Sequence, residues 1–262
     1  MNTITQFKLS LLILISFLSS NILASDTAKE KRWADQIVDT ILVGEPQWIP
    51  IEKHKYLAIY TEPSQEKAAG AVIIMHGIGI HPNWDTIVRP LRSELPESGW
   101  HTLSIQMPIL ENEAEFKDYI PLFPGVAPRI NAAVAFLKEK GINNIILLGH
   151  SLGATMGAYY MASSPDKSIV SFVSIGASAG NEDKVDYLNS LKKIRKPVFE
   201  LFGSEDLKAV VSTQAAKAKV ASEAGLTGYS QMKVNGADHF FMGKDQELIK
   251  AVNDWIAQFA NK

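Results

Sequence analysis

The chain has 262 residues, 46% of them hydrophobic, and a formal net charge of −2. That size suits one domain with a proper core, and the interspersed charges form neither a basic stripe for nucleic acid nor a polybasic membrane patch. Cysteine is absent, which excludes disulfides, thiolate metal sites, a cysteine nucleophile and a lipid-modified N-terminal cysteine.

The N-terminal stretch MNTITQFKLSLLILISFLSSNILASD places Lys8 before an apolar core, Leu9 to Leu18, followed by small and polar residues. This is the layout of a secretory signal peptide, and it predicts cleavage after Ala24. The mature chain, residues 25–262, is then a single domain in an extracytoplasmic compartment, periplasmic or secreted. The apolar core is too short to span a bilayer comfortably. No later segment reads as a membrane span, so none is expected after cleavage.

Apolar residues at helical spacing from Ala28, closed by Gly44, predict a helix. QWIPI and YLAIY flank the polar EKHK and read as a strand pair. AVIIMHG, Ala71 to Gly77, is a continuous apolar run, as a buried parallel strand would be. Asn83 to Glu97 has a helical pattern, and WHTLSIQMP is a strand that stops at Pro108. Met107 to Pro128 is a long excursion mixing acids with Tyr119, Leu122 and Phe123, a length that raises the question of a flap over a site. RINAAVAFLKEK is an amphipathic helix capped by Gly141. The strand IILLG, a helix from Ser151 to Ser163 and the strand SIVSFVSIG follow. A helix from Val185 to Ile194, the strand PVFELFG, a helix from Leu207 to Ala224, the strand YSQMKV and a helix from Asp245 to Ala260 complete the chain. The alternation from Ala71 onward predicts an α/β fold: a mostly parallel central sheet with helices on both faces and its chemistry at the C-terminal strand ends.

Three strand ends carry residue types that can act together. GHSLG sets Ser151 between Gly149 and Gly153 at a strand-to-helix junction, where a hydroxyl is presented near a helix N-terminus. A plain helix cap would not need glycine on both sides. A serine nucleophile needs a base, and of the six histidines only His239 follows Ser151, in the loop ADHFF after the last strand. His150, beside the serine, reads as packing, and Asp238 as a turn-closing residue. The base needs an acid. GSED offers Asp206, with Glu205 and Asp183 as alternatives. An oxyanion would be met by the Leu152 amide and, from HGIGIHP, by the Ile78 amide. That loop lacks the glycine pattern of a phosphate cradle, so no nucleotide is expected.

Taken together, HGIG, GHSLG, GSED and ADHFF, spread from Ala71 to the C-terminus, resemble the α/β-hydrolase superfamily, and within it a poorly characterised group of bacterial secreted hydrolase-like proteins. The resemblance implies a Ser-His-Asp triad of Ser151, His239 and Asp206, oxyanion donors at Ile78 and Leu152, an acyl-enzyme, and neither cofactor nor metal. It implies a serine esterase-type hydrolase acting on a small-molecule or lipid-like acyl substrate, with thioester or amide cleavage as variants. A non-catalytic envelope binding protein that retains the fold, and cofactor-free haloperoxidase-like chemistry, stay open at this level.

Overall fold

A computed structural model describes residues 25–52, 54–163, 165–179 and 185–260. The expected signal peptide and Asp183 lie outside these residues. The first element is α1, Thr27–Ile37, whose N-cap Asp26 accepts a hydrogen bond from the Lys29 amide. The strands are β1 (Glu45–Ile51), β2 (His54–Thr61), β3 (Gly70–Met75), β4 (Trp100–Ile105), β5 (Ile145–His150), β6 (Ile169–Ile175), β7 (Val198–Gly203) and β8 (Tyr229–Val234). Among the described residues they form one sheet in the order β1-β2-β4-β3-β5-β6-β7-β8. The pairs β1–β2 and β2–β4 are antiparallel, and the rest are parallel.

Alternate residues of each central strand feed opposite faces. Ala71, Ile73 and Met75 of β3 join one core, and Val72 and Ile74 join the other. This two-sided burial is why the strand sequence is apolar without a break. The first face is covered by α4 (Val126–Glu139), α5 (Leu152–Met161), α6 (Tyr187–Leu191) and α8 (Gln214–Glu223). Covering the second are α2 (Val88–Glu94) and α9 (Asp245–Ile256).

Several helices are shorter than the sequence pattern implies, among them the one expected over 185–194, which spans only Tyr187–Leu191. The helix expected to run to Gly44 stops at Ile37, with a 3₁₀ turn through Thr40. Leu42 beyond it is 95% exposed. The helix expected from Asn83 begins at Val88, because the buried Asn83 side chain instead accepts hydrogen bonds from the Arg92 guanidinium, and Ile87 takes a left-handed φ of 57°. The helix expected over 207–224 is split into α7, Lys208–Val211, and α8.

The excursion 107–128 contains α3, Phe116–Tyr119, and a 3₁₀ run, Ile120–Gly125. It drives Met107, Ile109, Tyr119, Leu122 and Phe123 into the interior. Its start is stitched to α1: the Asp26 amide donates to Ile109 O at 2.8 Å, and Lys29 Nζ donates to Leu110 O at 2.6 Å. The helical stretch Phe116–Glu139 has by length and composition alone what a membrane span needs, and 44% of its most apolar 18-residue window is packed inside the fold.

Candidate active site

The β5–α5 junction is a tight turn. Ser151 has φ 54° and ψ −120°, a conformation L-residues adopt only when the surroundings hold them there. Its amide donates to Ile175 O of β6 at 2.8 Å, and its carbonyl accepts from the Ala154 amide at 3.0 Å. The flanking glycines follow from the close approach. A methyl on Gly149 would stand 2.5 Å from Gly153 O, and one on Gly153 would stand 2.4 Å from His76 O. Any other residue at either position would push α5 away from the strand end.

His239 enters on the loop after β8, and Asp206 on the loop after β7. His239 Nε2 lies 3.0 Å from Ser151 Oγ, and its Nδ1 lies 2.6 Å from Asp206 Oδ1. Asp206 Oδ1 also accepts the Leu207 amide at 2.7 Å, which fixes the carboxylate independently of the histidine. The Asp206 side chain is fully buried, and that of His239 is 11% exposed. Glu205 lines the same cavity, but among the described residues no hydrogen bond joins its carboxylate to His239. Gly176, with φ 61°, closes the floor: a methyl there would stand 3.2 Å from the His239 ring and 3.3 Å from Asp206 Oδ2.

The cavity above Ser151 measures about 580 Å³, and its lining includes Gly77, Ile78, Leu207 and Phe240 beside Ser151, Asp206 and His239. No residue of 107–128 lines it, so the excursion is part of the core in this structure and does not roof the cavity. Leu152 is the first residue of α5, and Ile78 lines the cavity from the loop after β3. Asp238 closes the histidine loop: Oδ1 accepts the amides of Phe240 and Met242, both at 3.0 Å.

Two further histidines belong to this site, and their roles are not visible in the sequence. His150 is not idle packing. Its Nε2–H donates to the His239 carbonyl at 2.9 Å, and the rings lie 4.8 Å apart. Burial, then the neighbouring His239, lowers its pKa to about 4, so the ring is neutral at neutral pH. His76 receives the Met107 amide on Nε2 at 2.9 Å, which leaves the ring hydrogen on Nδ1. Nδ1–H donates to Gly77 O at 2.8 Å. That carbonyl and the Ile78 N–H belong to one planar peptide, so His76 sets the direction of the Ile78 amide. Behind His76 stands a buried relay. Gln106 Nε2 donates to His76 Nε2, and Arg129 Nη1 donates to Gln106 O and pairs with Glu30 of α1. The available signal was a histidine at the end of an apolar strand, next to glycine; the partners 31 residues away carry no local mark.

Among the described residues no cluster of three His, Asp or Glu side chains is placed to hold a metal ion.

The fold matches many solved structures. Est1E from Butyrivibrio proteoclasticus aligns with a TM-score of 0.64 at 16% identity, over 82% of this chain and 98% of that one. An alpha-beta serine hydrolase homologue from Coxiella burnetii aligns with a TM-score of 0.65 at 18% identity, over 82% and 98% of the two chains. An esterase from Pyrococcus furiosus gives 0.66 at 15% identity, over 83% and 91%. At such identities the likeness establishes the fold. No curated protein matches the sequence. The sheet order, the serine elbow and these alignments make this an α/β-hydrolase fold, and the match of a family model over residues 11–119 and 124–258 makes the chain a member of the family described as "Protein of unknown function (DUF3530)".

Proposed function

We propose that the protein is an exported serine hydrolase that cleaves a carboxylic ester, with thioesters or amides as chemical variants. The observation that carries this reading is the single imidazole that bridges a strand-end serine and a buried carboxylate. The Pyrococcus protein, whose fold this chain shares, is described as an esterase, and the Coxiella protein as a serine hydrolase homologue, which agrees with it.

In this reading His239 Nε2 takes the Ser151 proton as Oγ bonds to the ester carbonyl carbon. Negative charge gathers on the carbonyl oxygen, where the amides of Leu152 and Ile78 meet it. Collapse breaks the carbon–oxygen bond to the alcohol, which leaves with the proton held on Nε2. Water then enters, gives a proton to His239 and its oxygen to the acyl carbon, and the acid departs as Ser151 regains its proton. Asp206 keeps the hydrogen of neutral His239 on Nδ1 and stabilises the imidazolium. A neutral His150 places no second positive charge beside it.

Ser151→Ala should lower turnover of short p-nitrophenyl esters on the order of a millionfold, and His239→Ala by nearly as much. Asp206→Asn should cost about ten-thousandfold through the wrong tautomer. Wild-type protein should take a fluorophosphonate label on Ser151. Turnover by Ser151→Ala at the wild-type rate would sink the reading, and a wild type with neither turnover nor label would favour a binding protein. Export has its own test: N-terminal sequencing of envelope-fraction protein should begin at Ser25, and an intact Met1 there would refute cleavage.

A further inference from the structure

Beside the Ser151 cavity lies a second hollow of about 320 Å³, bounded by His81, Trp84, Asp85, Thr86, Phe240 and Met242. Phe240 lines both hollows, so they adjoin across one aromatic ring. We propose that this recess holds the alcohol portion of the ester substrate, and that this portion is a compact apolar group, aromatic or branched aliphatic. The proposal rests on the serine-hydrolase reading above.

The backbone is shaped to build the recess. Phe241 takes a left-handed φ of 52° and is buried, which turns Phe240 and Met242 together toward the hollow. Met242 is left 68% exposed and Leu207, on the rim of the catalytic cavity, 55%. Large apolar side chains exposed around a concave site gain from burial against an apolar ligand. The opposite wall is aromatic: the His81 and Trp84 rings meet edge-on at 5.3 Å. Burial lowers the His81 pKa to about 4, so that wall carries no cation at neutral pH. Asp85 turns its carboxylate to Arg89 at 2.9 Å.

The identity of the occupant follows from the side of the site on which the recess lies. A departing alcohol oxygen must sit within reach of His239 Nε2, which returns the proton to it. The acyl carbonyl must point instead to the Leu152 and Ile78 amides. Phe240 stands 5.3 Å from the His239 ring, so a group passing that ring leads from the leaving oxygen into the recess.

The test is a pair of ester series assayed with the purified full protein by product chromatography. One holds acetyl constant and runs from ethyl through 3-methylbutyl to 2-phenylethyl acetate. The other holds ethanol constant and runs from acetate to octanoate. Filling an apolar pocket changes kcat/KM roughly tenfold to hundredfold, so 2-phenylethyl acetate should exceed ethyl acetate by that factor. Trp84→Ala and, as a surface change that spares the fold, Met242→Glu should each cut that ratio by about tenfold. A ratio near one in the wild type, a ratio unmoved in both variants, or a shift confined to the acyl series overturns the assignment. Should no ester react and Ser151 take no fluorophosphonate label, the hydrolase reading itself fails and the recess assignment falls with it. Turnover without alcohol selectivity removes the recess assignment alone.

Discussion

His76 never faces the cavity, yet it governs one wall of it. Its Nδ1–H donates to Gly77 O and so aims the next amide. In His76→Ala that peptide loses its partner and the Met107 amide loses its acceptor. We expect kcat to fall roughly tenfold to hundredfold, short of the ~10²–10³ known for deleting an entire oxyanion donor, with KM changing by less than about threefold. Steady-state kinetics on a soluble ester check this, and an effect confined to KM or to thermal stability would refute it. The contrast with Ser151, Asp206 and His239 shows what a sequence makes legible. Those three stand just past strands, in a chain order that restricts the choice of partners, and the structure brings them within hydrogen-bond distance. His76 and His150 act through carbonyl groups, and the partners that fix their rings, Met107 and His239, are set by tertiary packing alone.

At the level of elements, the strands were legible because burial on both faces leaves a continuous apolar run. The helix limits were less so: the start of α2 is decided by a side chain, Asn83, that is committed to Arg92, and the run expected as one helix is split into α7 and α8. Nor did any pattern mark the charge pair that ties α8 to the sheet. Lys217 is fully buried and donates to Glu200 of β7 at 3.0 Å and to Ala177 O at 2.6 Å. Tyr187 of α6 donates to Glu200 as well, and burial together with that carboxylate holds its hydroxyl well above the usual phenol pKa. Removing one member leaves the other charge stranded, so Lys217→Met should destabilise the fold by ~3–5 kcal/mol. The double change Glu200→Leu with Lys217→Met should recover much of that loss. Urea melts of both proteins measure it, and a double variant no more stable than the single would show that the cost is packing.

For the whole molecule, the buried His76 and His150 and the half-buried His81 contribute to the response to acid. Burial lowers the pKa of His76 to about 3 and of His81 and His150 to about 4, against 6.5 for a free ring. The unfolded chain therefore binds more protons than the folded one below pH 6.5. The stability these rings contribute is complete above 6.5, erodes as the pH falls, and is lost once the pH passes the folded values. Circular-dichroism melts should show Tm declining steadily from pH 6.5 toward pH 4, and a flat profile would contradict the linkage. The relay behind His76 also has a consequence in time. It begins at Glu30, in a helix synthesised early, and its next member, Arg129, follows 99 residues later. While a ribosome is still making the first half of the chain, Glu30 has no counter-charge to meet and α1 has no excursion to dock on. The segment made first is locked late: α1 finds its docking partners only after residues 109–129 have been made.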